Sequence, residues 1–428
     1  ALSASSRLMR RTALLLLLVA ATAARRLSPS PVAPASKERR GKKKVLMLIS
    51  DTGGGHRASA HALEAAMLKE MDMEVKVVDI WTEYGRFPWN KMAAGYPFCC
   101  KHPAIWKSMY YTTIGLEVPT DILWRLQCGS GFKRCIGAFD PDMVVSLHPL
   151  CQNLPLAVMD TLAKEKGLPG RTAPFATVCT DLGSAHPSWF DKRVDLCFVA
   201  SEAVRKVAGR RGLKGSKVRM HGLPVRKAFW RASEQNAQAT PSQMEQLGLK
   251  PNLKTVLVVG GGDGVGSLSK IVEQTASQLA KDCPGAAQVV AVCGKNKVVK
   301  KQLEARRWLG VHVEVRGFCS GISDYMEAAH VVVTKAGPGT IAEAAIRGLP
   351  TMLSSHLPGQ EAGNVPFVVN KGFGRFSTQP KVIANTVSSW LQDDSELARL
   401  SAAALAAGQP EATQLIAKDL VKLLKTAA

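Results

Sequence analysis

Short apolar runs rich in valine, isoleucine and leucine recur along most of the chain, and stretches with helical spacing of apolar residues separate them. Runs of this length and composition are typical of strands buried in a parallel sheet. Their alternation with helical stretches predicts an α/β fold. The predicted strands are VLMLIS (45–50), VKVVDI (75–80), MVVSLH (143–148), FATVCT (175–180), LCFVAS (196–201), TVLVVG (255–260), QVVAVCG (288–294), VHVEVRG (311–317) and VVVTK (331–335).

The predicted strands fall into two sets. Between the sets, residues 227–243 (KAFWRASEQNAQATPSQ) lose hydrophobic periodicity, which predicts an interdomain linker. Two doubly wound sets in succession predict two Rossmann-like domains facing a cleft, over residues 42–226 and 244–400. A helical pattern rich in alanine, leucine and lysine begins near Ser395 and fills residues 401–428. This predicts a C-terminal helix that could pack back across the cleft.

The first residues, 1–41, have the composition of a targeting leader. Arg10 and Arg11 precede an apolar run at residues 13–21, and small residues follow it, as in a signal peptide. The run is about half the length that spans a bilayer. A stretch rich in serine, proline, alanine and basic residues comes next, which is typical of an organellar transit peptide. We predict a cleavable leader to a plastid membrane. Secretion is the alternative, but the unpaired cysteines of the body argue against it.

Charge and cysteine content narrow the classes of function. The chain of 428 residues has a formal net charge of +22, which suits nucleic acid, an anionic membrane or phosphorylated substrates. Because no nucleic-acid-binding motif occurs in the sequence, we expect no nucleic-acid partner. The ten cysteines show no CxxC pair and no metal-ligand spacing. We therefore predict reduced, mostly buried thiols and no metal site.

Three glycine-rich loops follow predicted strands, where backbone N–H groups can approach a phosphate. They are Gly53-Gly54-Gly55-His56, GGGDGVG (260–266) and TKAGPGTIAEA (334–344). The sequence has neither the GxxxxGK[ST] loop of ATPases nor a GxGxxG loop with an acidic residue about 20 positions later. ATPase and nicotinamide-dependent dehydrogenase functions are therefore disfavoured.

His56 ends the first glycine loop, at the carboxyl edge of a predicted strand and the N-terminus of a predicted helix. Ligands of open α/β sheets collect at that edge. The positive end of the helix dipole disfavours imidazolium and keeps the ring neutral, as a general base requires. We predict that His56 is catalytic, and a structural histidine is the alternative.

Several segments together resemble the monogalactosyldiacylglycerol synthases, plastid enzymes that transfer galactose from UDP-galactose to diacylglycerol. They are DTGGGHRASA (51–60), VSLHPL (145–150), TDLGSAHPSWF (180–190), GLPVR (222–226), GGGDGVG (260–266), TKAGPGTIAEAAIRGLP (334–350) and GQEAGNVPFVV (359–369). The resemblance implies a GT-B fold of two Rossmann-like domains. It also implies an inverting transfer of galactose to the free hydroxyl of 1,2-diacylglycerol, without a metal or another cofactor.

The resemblance further implies roles at individual positions. His56 corresponds to the base that deprotonates the acceptor hydroxyl. Glu343 is placed like the carboxylate that binds both ribose hydroxyls, and Glu361 like a group that accepts hydrogen bonds from galactose. The other positions implied to contact the substrates are Gly54, Gly55, Gly261, Gly262, Lys335, Gly337, Gly339, Thr340, Gln360 and Asn364.

Residues 81–124 contain ten aromatic residues with basic residues between them. Trp and Tyr favour the headgroup layer of a membrane, and Lys and Arg attract anionic lipids. We interpret this segment, including Trp89 and Trp106, as a monotopic membrane surface over which diacylglycerol reaches His56. An aromatic core is an equally weighted alternative. Trp189, in a loop similar to one near the acceptor in the family, is also expected at the lipid.

The expected partners are therefore a UDP-sugar, diacylglycerol and an anionic lipid surface, and a homodimer is compatible with the sequence. One alternative function is transfer of glucose or N-acetylglucosamine to another lipid. Glu361, where related peptidoglycan enzymes tend to have Gln, favours galactose only mildly. The other alternative is a non-catalytic protein that binds nucleotide-sugars or lipids. The joint presence of His56, Glu343 and Glu361 argues against it, because a binding module needs no base.

Overall fold

The computed structural model describes residues 41–230, 239–260, 267–319 and 321–426. Nearly all of the predicted leader lies outside the described residues, and so do Gly261 and Gly262. The strands form two six-stranded sheets, and every strand pair within them is parallel. The predicted GT-B architecture of two α/β domains is therefore confirmed.

The first sheet contains β1 (Lys43–Ile49), β2 (Met73–Asp79), β3 (Met143–Ser146), β4 (Phe175–Val178), β5 (Leu196–Val199) and β6 (Val218–Met220), in the order β2-β1-β3-β4-β5-β6. Its helices are α1 (Gly54–Glu70), α2 (Ile80–Tyr84), α3 (Met92–Lys101), α4 (Pro103–Gly115), α5 (Glu117–Phe139), α6 (Asn153–Glu165) and α7 (Glu202–Arg210). Three helices, α3 to α5, thus follow one another between β2 and β3, where the aromatic segment lies.

After α8 (Pro241–Gln246), the second sheet contains β7 (Lys254–Val259), β8 (Ala287–Val292), β9 (His312–Arg316), β10 (Val331–Lys335), β11 (Thr351–Ser355) and β12 (Gly374–Phe376), in the order β12-β11-β10-β7-β8-β9. Its helices are α9 (Leu268–Asp282), α10 (Lys297–Glu304), α11 (Ile322–Ala328), α12 (Pro338–Ile346), α13 (Asn364–Asn370), α14 (Pro380–Gln392), α15 (Asp394–Ala407) and α16 (Ala412–Thr426). This strand order is that of a dinucleotide-binding Rossmann fold.

All nine strands predicted from the apolar runs are present, with ends shifted by a few residues. Interior strands such as β3 and β8 are largely apolar and are buried over their whole length, whereas the edge strands β2 and β9 alternate between apolar and polar residues. The strands β6, β11 and β12 were not predicted. β6 and β12 are three-residue edge strands, and β11 (TMLSS) carries polar residues, so none of them forms a long apolar run.

The helical pattern at the C-terminus forms two helices, α15 and α16, rather than one. Gly408 and Pro410 lie in the break between them, where proline cannot continue a helix. Leu420 and Leu424 of α16 belong to the same apolar cluster as Leu63 of α1. The Val225 backbone N–H donates to Thr413 Oγ1 at 2.9 Å, and the Thr413 hydroxyl lies 3.1 Å from the Val225 carbonyl oxygen. The end of the chain therefore packs back onto the first domain.

The segment predicted as a linker, residues 227–243, is structured at both of its ends. Phe229 and Trp230 are buried. Thr240 begins α8 with a capping box, in which its hydroxyl accepts from the backbone N–H of Gln243. Residues 231–238 lie outside the described part of the chain.

Candidate active site

The winding of each sheet reverses at one point, between β1 and β3 in the first sheet and between β7 and β10 in the second. Ligands of open α/β sheets bind beyond the carboxyl ends of the strands at such points. In the first sheet these ends lead into residues 50–56 and 147–151. In the second sheet β10 leads into residues 336–340, whereas β7 ends at Val259 and residues 261–266 of the predicted glycine loop lie outside the described residues. The glycine loops before His56 and before Glu343 therefore lie where the fold favours ligands.

His56 is buried in the first turn of α1, and its Nδ1 is held by two oxygens. Nδ1 lies 2.8 Å from the Leu147 carbonyl oxygen and 3.0 Å from Thr180 Oγ1. Because a carbonyl oxygen only accepts, Nδ1 carries the proton, and Nε2 keeps its lone pair. Burial lowers the pKa of His56 from 6.5 to about 4, so the ring is neutral near pH 7. Both the tautomer and the charge suit a general base acting through Nε2.

His148 packs edge-on against His56, with ring centroids 4.6 Å apart. Its Nδ1 accepts from the Leu150 backbone N–H at 3.2 Å, so its Nε2 carries the proton and donates to Thr52 Oγ1 at 2.9 Å. Burial, together with His56, lowers the pKa of His148 well below its ordinary value. Sequence reasoning gave His148 no role of its own. Its place directly after β3, at the switch point, is the signal that could have identified it.

Trp189 is fully buried, and its ring centroid lies 6.1 Å from that of His56. The indole N–H donates to Asp181 at 2.8 Å. Burial, with a smaller contribution from the charge of Glu361, raises the pKa of Asp181 to about 7. A ring without exposed area cannot lie in a headgroup layer. The predicted membrane contact of Trp189 is therefore corrected to packing beside His56.

The glycines before His56 leave the start of α1 open. Gly53 caps the helix with a left-handed φ of 88°, and no side chain caps its N–H groups. No atom lies within 4 Å of the positions that a Cβ on Gly54 or Gly55 would take. First-turn N–H groups have no partner within a helix, so this end can approach an anion or a hydroxyl.

In the second domain, β10 leads through the predicted glycine loop at residues 334–344 into α12. Gly337 caps this helix without a side-chain hydrogen bond, and Gly339 and Thr340 lie in its first turn. The N-terminus of such a helix binds phosphate through its free N–H groups and its dipole. Thr334 Oγ1 is buried without a hydrogen-bond partner among the described residues, which marks it as a group that a ligand could satisfy.

Glu343, in the second turn of α12, is only 7% exposed, which excludes a solvated helix face. Arg226 holds it with two parallel hydrogen bonds, from Nε at 2.8 Å and from Nη2 at 2.6 Å. Burial raises the pKa of Glu343, and the Arg226 charge opposes that rise. Arg226 stands at the end of the GLPVR segment. The sequence assigned it no role, because nothing local indicates a partner 117 positions away.

Replacing Glu343 with alanine should weaken UDP binding by about 1.5–3 kcal/mol, the range for hydrogen bonds to a charged group. Titration calorimetry with UDP measures this loss. Glu327→Ala is the matched control, because Glu327 also forms an ion pair with an arginine, Arg347, but lies on α11, before β10. Unchanged UDP affinity in the Glu343 variant would show that this carboxylate does not bind the nucleotide and serves only the ion pair with Arg226.

The loop between β11 and α13 carries the residues predicted to bind galactose. Glu361 is buried, forms an ion pair with Lys335, and accepts from the Leu357 backbone N–H at 2.9 Å. Gln360 Oε1 is buried without a partner among the described residues, so a sugar hydroxyl could satisfy it. Asn364 differs from its prediction. Its amide is 1% exposed and bonded at both ends within the protein, so it does not face a sugar in this conformation.

The aromatic segment is divided between core and surface. Trp81 and Trp124 are buried, with ring centroids 5.1 Å apart, and belong to the core. Trp89 and Trp106 are half-buried, and Trp106 packs edge-on against Tyr96 at 5.4 Å. The aromatic-core alternative therefore applies to Trp81 and Trp124, whereas Trp89 and Trp106 lie nearer the surface.

Residues 87–126 also expose nine large apolar side chains. We call this set the apolar face: Phe87, Phe98, Ile105, Met109, Tyr111, Leu116, Val118, Ile122 and Leu126. The five basic residues interleaved with them are exposed as well: Arg86, Lys91, Lys101, Lys107 and Arg125. Within the described ranges, no helix combines the length and the apolar character needed to cross a membrane.

In the part of the chain that the structure describes, no three His, Cys, Asp or Glu side chains are grouped to hold a metal ion. Asp140 and Asp142 have the DxD spacing of metal-dependent glycosyltransferases. They precede β3, at the sheet edge opposite the switch-point loops, and bind Lys166 and the backbone N–H of Lys44. All ten cysteines are free, and six of them are buried.

Solved structures share this architecture. MurG of Acinetobacter baumannii aligns with a TM-score of 0.53 at 14% identity, over 89% of this chain and 99% of its own. The glycosyltransferase CalG4 aligns with a TM-score of 0.56 at 13% identity, over 91% and 100%. A UDP-GlcNAc 2-epimerase of Neisseria meningitidis aligns with a TM-score of 0.56 at 16% identity, over 89% and 100%. The epimerase shows that this fold alone does not fix the reaction. The architecture is therefore that of the GT-B class.

Residues 56–225 match the family model for monogalactosyldiacylglycerol (MGDG) synthase, and residues 255–416 match the glycosyltransferase family 28 C-terminal domain. The chain belongs to the monogalactosyldiacylglycerol synthase family. It is 39% identical to the chloroplastic synthase 1 of Arabidopsis thaliana over 386 residues, which cover 88% of this chain and 70% of the relative. It is 40% identical to a probable chloroplastic synthase 2 of Oryza sativa subsp. indica, over 87% of this chain and 79% of the relative.

Proposed function

We propose that this chain joins galactose to 1,2-diacylglycerol with inversion, using His56 as the general base. As a member of its family, it is a galactosyltransferase that takes galactose from UDP-galactose. The observation that carries the proposed mechanism is a buried, neutral histidine with its proton on Nδ1, at the switch point of the first sheet. Nε2 accepts the proton of the acceptor hydroxyl while that oxygen forms a bond to C1 of galactose. The bond from C1 to the diphosphate oxygen breaks, and UDP leaves.

We assign the donor to the second domain. The ribose lies at Glu343, the diphosphate at the start of α12, and galactose against Gln360 and Glu361. The ion pair between the partly exposed Lys335 and the buried Glu361 lies beside Gly337, next to the proposed diphosphate site. Lys335 is therefore close enough to offset charge that develops on departing UDP.

The anomeric configuration of the product tests the proposed stereochemistry. Purified protein would be incubated with UDP-galactose and diacylglycerol liposomes, and the extracted glycolipid examined by proton NMR. Attack by the hydroxyl from the face opposite UDP inverts C1, so the large anomeric coupling of a β-galactoside is expected. A small coupling, typical of an α-galactoside, would contradict direct displacement assisted by His56.

Galactosyl transfer should persist in excess EDTA. Helix N-terminal N–H groups and Lys335 can provide the charge stabilisation that a metal supplies in other enzymes. The measurement compares initial rates with and without chelator, and a manganese-dependent galactosyltransferase treated in parallel confirms that the chelator is effective. Activity that is lost with EDTA and restored by manganese or magnesium would overturn the metal-independent mechanism.

For the acceptor, we propose that the apolar face lies in the headgroup layer of a membrane. Exposed apolar side chains with basic residues around them are the signature of monotopic binding. The helix α4 connects this face to the cleft. Its Tyr110 ring packs against His186, with centroids 4.8 Å apart, and Thr113 Oγ1 lies 3.2 Å from His186 Nε2. A diacylglycerol molecule that enters beneath α4 would therefore be close to the loop that contains Trp189.

A basic stretch beside the apolar face favours an anionic membrane. Residues 202–219 hold seven Lys or Arg against the single acid Glu202. Arg211 forms an ion pair with Glu117 at the start of α5, which joins this stretch to the apolar face. Lys206, Arg210 and Lys214 are exposed and form no ion pair among the described residues. Each basic residue near an anionic surface adds about 1 kcal/mol of attraction.

The chloroplastic names of the relatives support a plastid membrane as the site of action. We propose peripheral attachment there through the apolar face and the basic stretch. The cleavable leader and the homodimer stay predictions, because neither depends on a contact of the described residues.

A further inference from the structure

One side chain, Asn364, joins loops of the two domains. Its Oδ1 accepts from the Gly183 backbone N–H at 2.7 Å, and its Nδ2 donates to the Ala336 carbonyl oxygen at 2.8 Å. Gly183 follows β4 in the first domain, whereas Ala336 follows β10 in the second. The backbone partners fix the orientation of the amide, since an N–H requires an acceptor and a carbonyl requires a donor.

The backbones around this amide are in direct contact. A Cβ on Gly183 would lie 1.9 Å from the Gly363 carbonyl oxygen, and one on Gly363 would lie 2.6 Å from the Ser184 side chain. A Cβ on Gly359, in the same loop, would lie 2.6 Å from the Tyr110 ring. Only glycine allows the loop between β11 and α13, which we call the donor loop, to approach the first domain this closely. The close contact between the two loops, which we call the junction, therefore needs glycine in both domains, at Gly183 in the first and at Gly359 and Gly363 in the second.

The junction connects to both halves of the proposed site. Thr180, three positions before Gly183, contacts Nδ1 of His56. Ala336 stands between Lys335 and Gly337, where we assign the diphosphate. Any opening between the two domains at this point must break the hydrogen bond from Gly183 to Asn364.

We propose that Asn364 is a positioning residue that holds the donor loop against the loop behind His56 in the closed cleft, rather than a ligand of galactose. The expected effect on galactosyl transfer rests on the proposed function, whereas the expected effect on closure of the two domains does not. It explains why an amide occupies this position. A carboxylate of the same shape would accept from Gly183 but would place an oxygen against the Ala336 carbonyl.

Asn364→Asp is the test, because it keeps the shape of the side chain and replaces the donor group with a carboxylate oxygen that cannot donate to the Ala336 carbonyl. Transfer of galactose should fall by about 10- to 100-fold, because the loss of one buried hydrogen bond raises the activation free energy of the reaction. UDP affinity should fall only by the part that closure contributes to binding, because a ligand that closes the cleft must bind the closed state more tightly. The preference for UDP-galactose over UDP-glucose should also be unchanged. Asn370→Asp, an exposed position on the same helix, is the matched control.

Small-angle scattering gives a readout that a merely structural role would not change. UDP should make the wild-type protein and the Asn370 variant more compact, and it should leave the Asn364 variant extended. Gly183→Ala adds a methyl group at the same junction from the first domain and should have the same effect. It keeps the test valid if the aspartate variant does not fold.

Either of two outcomes would overturn the inference. One is UDP-induced compaction and turnover of the wild-type size in the Asn364 variant. The other is normal compaction with an altered preference between UDP-galactose and UDP-glucose, which would make Asn364 a sugar ligand. If the wild-type protein formed no galactolipid, the proposed function would fail, but scattering and UDP affinity would still test the closure.

Discussion

Replacing His56 with alanine should reduce galactosyl transfer by about 100-fold or more, because the acceptor hydroxyl would lose its general base. UDP affinity should be unchanged, since we assign the nucleotide to the other domain. Initial rates with diacylglycerol liposomes and calorimetry with UDP measure the two effects. His61→Ala is the matched control, because His61 lies on the same helix with its side chain 54% exposed. A His56 variant with turnover within a few-fold of the wild-type value would remove this residue from the mechanism.

The pH profile provides a second check on His56. Burial lowers the pKa of this histidine to about 4, so the neutral base is present throughout the physiological range and is lost only as the pH falls toward 4. An acid limb near pH 6.5 in kcat/KM is therefore not expected from His56. Asp181, whose pKa burial raises to about 7, is the neighbouring group that titrates there. The profile should be recorded in Asp181→Asn, and a limb near 6.5 that persists in that variant would contradict the assignment of His56.

Placing aspartate at three positions of the apolar face should weaken liposome binding by about 100-fold or more. Phe98, Ile122 and Leu126 are at least 57% exposed, so the changes should not lower the melting temperature. Full burial of one such side chain in an apolar layer contributes about 1.5–3 kcal/mol. Sedimentation with anionic liposomes measures the loss, and binding of the wild-type protein should weaken with salt, since charges are screened over about 8 Å at physiological ionic strength.

The matched control for this surface lies in the second domain. Val298, Leu309 and Phe318 are at least 67% exposed there, and the same three substitutions should leave sedimentation unchanged. By contrast, Trp89→Ala and Trp106→Ala should lower the melting temperature, because both rings are half-buried. Normal sedimentation of the apolar-face variant would locate the membrane contact elsewhere.

The sequence predicted the two sheets well for a physical reason. Strands such as β1 and β8 are covered on both faces, so their sequences contain an unbroken run of apolar residues. Short edge strands such as β6 contain no such apolar run and could not be predicted in this way. The helices α3 to α5 were not predicted, since their exposed apolar residues obscure the periodicity of a helix with one buried face.

The site was predictable where its chemistry is local. The glycine loop before His56 and the loop leading to Glu343 each combine a strand end, flexible backbone and a helix start. The partners of these residues depend instead on how the domains meet. The pairing of Arg226 with Glu343, and that of Gly183 with Asn364, join positions far apart in the chain. No spacing in a single sequence specifies such contacts, and the prediction of Asn364 as a sugar ligand rested on the family resemblance of its loop.

Sugar selectivity in a transfer reaction tests the central claim most directly. Purified protein would receive diacylglycerol liposomes with equal amounts of labelled UDP-galactose, UDP-glucose or UDP-N-acetylglucosamine, and the lipid products would be separated by chromatography. The predicted result is a single labelled monogalactosyldiacylglycerol, formed from UDP-galactose and absent in the His56→Ala variant. Label that entered lipid mainly from UDP-glucose or UDP-N-acetylglucosamine, or that never entered lipid, would contradict the account.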